Sequence, residues 1–360
     1  MADGDRTPPP NGYETWGEFC ASDPTNLICV DVDSNYEYKP SLVANSLFAA
    51  LLGLSMLGFI VTYAVTRRGT AFTVAFVLGT LTEVIGYAGR IISHGNVWDQ
   101  NGFLIQIICL TIAPAFLAAG IYLCLRRIVY VFGAENSRIS PVMYTRFFIP
   151  CDVISLVLQA AGGALASIAD NDQRDLLNAG NNTMIAGLSF QVFTLLIFIV
   201  VSVDFGLNVM RRHRKLGEAS LNQSEMAVRL RGAWTFRAVL GALALATICI
   251  FWRSVFRVAE LSGGWSGPLM GREDLFIGFE GVMIVVACFV LNVFHPSIFA
   301  RDIMARGFGN LTKTGAKPGH QKVDSYDRAY LSPGSSDAEA LPMGNVATQA
   351  PAGYASSHRA

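Results

Sequence analysis

Seven stretches of this chain are apolar and long enough to dictate its fold class: residues 42–66, 70–92, 103–125, 147–169, 184–207, 236–258 and 276–294. A hydrocarbon core needs about 20 helical residues to cross it. Inside lipid every backbone N–H and C=O must be satisfied within the protein, so an apolar run of this length crosses as a helix. The expected fold is therefore all-α, an integral membrane bundle of seven transmembrane helices. The composition agrees: 52% of residues are hydrophobic and only 15% charged, with a formal net charge of +0, and the mean hydropathy is +0.41.

Loop charge sets the expected orientation, because Lys and Arg near span ends are retained in the cytosol. One set of loops is nearly free of them: "SHGNVWDQNG" (93–102) has none, and the other two hold Arg174 and Arg272. The opposite set carries Arg67, Arg68, Arg126, Arg127, Arg138, Arg146, "RRHRK" at 211–215, Arg229, Arg231, Arg301 and Arg306. The amino terminus is expected outside and the carboxyl terminus in the cytosol. The chain then divides into an extracellular tail (1–41), the seven-helix domain (42–299) and a cytosolic tail (300–360) whose Gly, Ser, Pro and charge content predicts disorder. Residues 1–40 lack the basic start and apolar run of a signal peptide, so the first span is expected to direct insertion.

Several chemistries are disfavoured. There is no GxxxxGK[ST] phosphate loop. The histidines avoid the span interiors and all lysines lie outside the spans, which argues against an intramembrane zinc hydrolase and a retinal Schiff base. Neither a metal site nor a cofactor is expected. Cys109, Cys124, Cys151, Cys249 and Cys288 are scattered through the spans, whereas Cys20 and Cys29 fall in the outer tail, where an oxidising exterior favours a disulfide over two free thiols. Asn181 opens the one glycosylation sequon on the expected outer side, against the start of the fifth span.

Charge inside the spans is the feature that demands explanation, since an ionised side chain at a membrane helix centre costs roughly 2.5–3.5 kcal/mol on insertion scales. "EVIGYAGR" places Glu83, Tyr87 and Arg90 on one stripe of the second span, and "RSVFRVAE" places Arg253, Arg257 and Glu260 on one stripe of the sixth. Both helices are expected to run from inside to outside, with their charge orders reversed. Side by side they would pair Glu83 with Arg253 and Arg90 with Glu260; failing that, Arg253 would take Glu280, and Arg90 and Arg257 would snorkel into the headgroups. Gln106, Gln159, Gln191 and Glu280 add polar groups in the outer half or near mid-membrane, so a wet cavity opening outward is expected. Asp152, Ser155 and Gln159 form a further stripe that would extend a polar path inward, unless Asp152 simply pairs with Arg146. Asp204, Asn292 and the His295-Pro296-Ser297 end of the last helix also lie toward the inner face.

Taken in order, these segments resemble the fungal RTA-like, or lipid-translocating exporter, family of seven-span proteins. The likeness runs from about Tyr36 to Pro296 and rests on "YEYKPSLVAN", "EVIGYAGR", "DVISLVLQAAGG", "GLSFQVF", "RSVFRVAEL" and the "ED…FE" and "HP" of the last span. Ile277 and Ser297 stand where Tyr and Gly are common in the family, and the first span lacks a His that many members carry. The resemblance implies a plasma-membrane protein linked to sphingoid-base release, lipid asymmetry and resistance to amphiphilic toxicants, with some members tied to porphyrin or haem movement. Its implied partners are membrane lipids or amphiphilic small molecules, with cytosolic partners for the tail and no role for nucleic acid. A seven-helix receptor-like sensor of lipids or stress is the rival reading, with "RRHRKLGEASLNQSEMAVRLR" as its signalling surface. An enzyme ranks behind both for want of a readable nucleophile and base.

Overall fold

A computed structural model describes residues 12–304, apart from 14, 33, 35, 37, 169–172, 264–266 and 268. Seven helical segments in it are long and apolar enough to span a membrane: Leu42–Thr66, Thr70–Gly95, Gln100–Phe132, Met143–Ile168, Arg174–Leu216, Trp234–Ser262 and Glu273–Phe299. The first matches its expected bounds. The fifth is far longer than expected, because polar flanks such as "RRHRKL" carry the helix past the point where an apolar run stops. Asn181 consequently lies within that helix rather than in the surface loop that an acceptor sequon implies.

Each span packs against the next and the seventh returns to the first. The third span is the most buried and touches the second, fourth, fifth and sixth. In lipid such contacts draw on close packing more than on water exclusion, so small residues mark them. A Cβ on Gly162 would stand 2.6 Å from the Gly180 carbonyl oxygen, and one on Gly89 would stand 2.7 Å from that of Gly102, so the backbones themselves meet at both crossings.

The basic end of the bundle is held by arginines donating to main-chain carbonyls. Arg127 reaches Ile303 at 2.5 Å, Arg231 reaches Val131 at 2.9 Å and Asn222 at 2.7 Å, and Arg68 reaches Arg301 at 3.1 Å. Val131 lies in the last turn of its helix, whose carbonyls the helix leaves open, and the other three acceptors lie in turns or loops with no helical partner. Ala300, Ile303 and Met304 are buried here. The packed domain thus passes the expected boundary at 299, because the short helix Pro296–Phe299, capped by His295, folds the chain back onto the first and sixth spans. The expectation of a disordered tail concerns residues from 305 onward, which lie outside those described.

At the other end, the described residues of the segment expected to be a tail are folded. Thr15 caps the helix Trp16–Ser22, Cys20 and Cys29 form a disulfide, and the Asn96 amide donates to the Ala21 carbonyl at 2.7 Å. Tyr36 and Pro40 are buried against the ends of the spans.

Candidate functional site

The two charged stripes meet in the bundle interior. Arg253 on the sixth span lies 3.1 Å from Glu83 on the second and 2.7 Å from Glu280 on the seventh, and it also donates to the Leu110 carbonyl of the third. None of the three charged side chains is more than 1% exposed. One turn farther along the sixth span, Arg257 and Glu260 pair at 2.5 Å. Tyr87 is fully buried, with Glu83, Glu280 and Arg253 among its charged neighbours.

Glu280 belongs to a π-helical turn, Phe276–Val282, inside the seventh span. Such turns are rare and concentrate at functional sites. Gly278 and Gly281 hold a helix weakly, which eases the departure from α geometry. Gly281 also abuts the Phe48 ring, bringing the first span close to the widened turn.

The second expected pair does not form. Arg90 donates to Asn45 at 2.9 Å and to the Tyr38 hydroxyl at 2.9 Å, lies 3.8 Å from Glu273, and stands over the Phe276 ring at 3.9 Å. Glu260 already has Arg257 three residues away on its own helix. Arg90 and Arg257 are each 1% exposed, so neither snorkels. Gln106 accepts a 2.5 Å hydrogen bond from the Tyr36 hydroxyl, which also lies 3.2 Å from Ser93. Burial raises the pKa of Tyr36 and of Tyr38, with the Arg90 charge opposing both shifts. Tyr36, Tyr38, Asn45 and Glu273 were not expected in this site; their visible signal, aromatics and polar groups near span ends, is equally that of interfacial anchoring.

A separate arrangement lies across the bundle. Gln159 donates to Gln191 at 2.9 Å, joining the fourth and fifth spans, while the Gln159 carbonyl oxygen accepts no hydrogen bond. Asp152 does not pair with Arg146. It is 3% exposed, neither carboxylate oxygen has a hydrogen bond of ordinary geometry, and the Tyr122 hydroxyl is the polar group beside it. A cavity of about 310 Å³ opens between the third, fourth and fifth spans. Of the residues expected to line an outward cavity, Gln159 alone lines this one. The charges at Glu83, Arg253, Arg257, Glu260 and Glu280 are sealed from solvent instead. Among the described residues, no three His, Cys, Asp or Glu side chains converge as metal ligands would.

Seven membrane-length helices around a charged interior define an integral multi-pass membrane protein whose core is partly ionic. Residues 76–302 match the family described as RTA1 like protein, and the chain belongs to that family. It is 34% identical over 269 residues to the sphingoid long-chain base transporter RSB1 of Saccharomyces cerevisiae, covering 69% of this chain and 68% of the relative. It is 31% identical over 229 residues to protoporphyrin uptake protein 1 of the same organism, covering 63% and 70%. Protein RTM1, also from Saccharomyces cerevisiae, is 30% identical over 229 residues, covering 61% and 67%. No solved structure matches the chain.

Proposed function

We propose that this protein is a plasma-membrane translocator of amphiphilic lipids, sphingoid long-chain bases foremost, and not an enzyme. The observation that carries the reading is the 34% identity to a protein named as a sphingoid long-chain base transporter, over 269 residues. The interior chemistry is compatible. A long-chain base has a cationic amine and hydroxyls on an alkyl chain, and crossing a bilayer demands polar partners for the first and apolar walls for the second. In this reading Arg253 acts as the internal clamp, tying the second and seventh spans to the sixth through Glu83 and Glu280. The amino terminus faces outside and the basic end faces the cytosol.

The similarity to protoporphyrin uptake protein 1 supports a second reading, in which the cargo is a porphyrin. The two differ in charge, since a porphyrin bears carboxylates where a long-chain base bears an amine. Cells expressing the protein and loaded with labelled sphinganine test the choice. The proposal expects faster release of label and greater tolerance of added base than in cells without the protein. Unchanged release alongside protein-dependent uptake of protoporphyrin would transfer the assignment to the second reading.

A further inference from the structure

The cavity between the third, fourth and fifth spans is mostly apolar with a few polar side chains in its lining. Its walls include Phe103, Ile107 and Ile108 of the third span, Gly163 of the fourth and Met184 of the fifth, and Gln159 is a polar group among them. Its volume, about 310 Å³, falls at the lower end of the range for ligand pockets, roughly 300–1,000 Å³. Gln159 lines the cavity, is 4% exposed, and its side-chain carbonyl oxygen accepts no hydrogen bond, so a small turn of that amide would offer an entering donor a buried acceptor with no competing partner. Two helical turns inward on the same face, about 11 Å away and beyond the cavity's lining, lies Asp152. It too is buried, with the Tyr122 hydroxyl beside it, and among the described residues no Arg, Lys or His pairs with it. Glu83, Glu260 and Glu280 each have an arginine. A buried carboxylate without a counter-charge is costly, and a ligand cation would supply one.

We infer that this cavity binds a single-chain amphiphile with a primary amine head, and that the stripe Gln159, Ser155 and Asp152 is the head's inward path. The inference deepens the translocator reading and rests on it. The head donates first to the Gln159 carbonyl oxygen, and its ammonium then exchanges toward Asp152, while the alkyl chain lies along Phe103, Ile107 and Ile108. A carboxylate head would meet Asp152 as a like charge. The clamp at Arg253 is a separate site in this scheme and holds no cargo.

The test uses the full-length protein in phosphatidylcholine vesicles, a diazirine-bearing C18 primary amine as photolabel, and octadecylamine or stearate as competitor. Flux of radiolabelled octadecylamine is followed in the same vesicles. Labelling is expected on peptides of the third to fifth spans, with octadecylamine competing and stearate not. Gly163 lines the cavity and a Cβ there would meet nothing within 4 Å, so Gly163→Leu is expected to occupy it and abolish labelling with melting temperature unchanged. Gln159→Leu should weaken labelling about tenfold, and Asp152→Asn should erase the preference for octadecylamine over stearate. Gly53→Leu, also facing open space, is the control that leaves labelling intact. Folded Gly163→Leu protein that labels like wild type, no labelling of these spans in wild type, or equal competition by stearate would each overturn the site. Labelling of the expected pattern without flux would keep the site and remove the translocator reading. Flux that survives Gly163→Leu unchanged would keep that reading and remove the site.

Discussion

Arg253 donates to Glu280 at 2.7 Å across the sixth and seventh spans, and the same guanidinium nitrogen lies 3.1 Å from Glu83 on the second. One cation therefore serves two buried acids. Arg253→Leu should remove both contacts at once and leave two uncompensated carboxylates, a loss of roughly 3–5 kcal/mol by comparison with other broken buried pairs. Glu83→Arg and Arg253→Glu should each lower the yield of folded protein. The double exchange should restore only part of it, because the new Glu at 253 faces Glu280. Thermal unfolding of detergent-purified protein reads all four variants, and full recovery in the double exchange would show that Glu280 is no true partner.

Neighbouring glycines on the fourth span should respond in opposite ways. Gly162 packs against the fifth-span backbone, where an added Cβ meets Gly180 O at 2.6 Å, whereas Gly163 faces open space. Gly162→Leu should cost at least about 1–3 kcal/mol through overpacking, and Gly163→Leu should leave stability unchanged or slightly raised. The comparison is a pair of melting curves, and equal melting temperatures would contradict the assigned packing of these two spans.

How much of this was legible in the sequence depends on whether a feature is set within one helix or between two. The apolar runs reveal seven spans, and the reversed order of Glu83…Arg90 and Arg253…Glu260 suggests the contact between Glu83 and Arg253. Helical periodicity fixes which residues share a face but leaves open the rotation and axial offset of one helix against another. That is why Arg90 was matched to Glu260, when its partners are Asn45, Tyr38 and Glu273. The π-helical turn that carries Glu280 leaves no mark in the apolar pattern. In the amino-terminal segment the disulfide between Cys20 and Cys29 was legible, but the docking of single tyrosines on distant helices was not, because it has no period.

The docking of the amino-terminal segment should weaken in alkali. Burial raises both Tyr36 and Tyr38 above their ordinary pKa of 10.0. An undocked segment ionises first, so docking is fully stable below about pH 10 and loses stability as pH rises through the raised values. Tyrosinate absorbance at 295 nm should show a late-titrating component that shrinks, without vanishing, in the Tyr36→Phe, Tyr38→Phe double variant, since Tyr87, Tyr122 and Tyr144 are buried as well. Identical titrations of the two proteins would contradict the buried placement.

Orientation and the disulfide can be examined together. With the amino terminus outside, a tag there should bind antibody on intact cells and a tag after residue 360 should need permeabilisation. Unreduced peptide mapping should recover the Cys20 and Cys29 peptides linked. Surface accessibility of the carboxyl-terminal tag, or alkylation of both thiols without prior reduction, would contradict the arrangement.

The most direct test of the central claim is flux in vesicles containing only the purified protein and lipid, with labelled sphinganine, phosphatidylcholine and protoporphyrin followed in parallel. The account predicts protein-dependent movement of sphinganine that exceeds that of the other two and falls in proportion when Gln159→Leu protein is substituted. Sphinganine moving no faster than in protein-free vesicles, while the reconstituted protein is folded and correctly inserted, would contradict it.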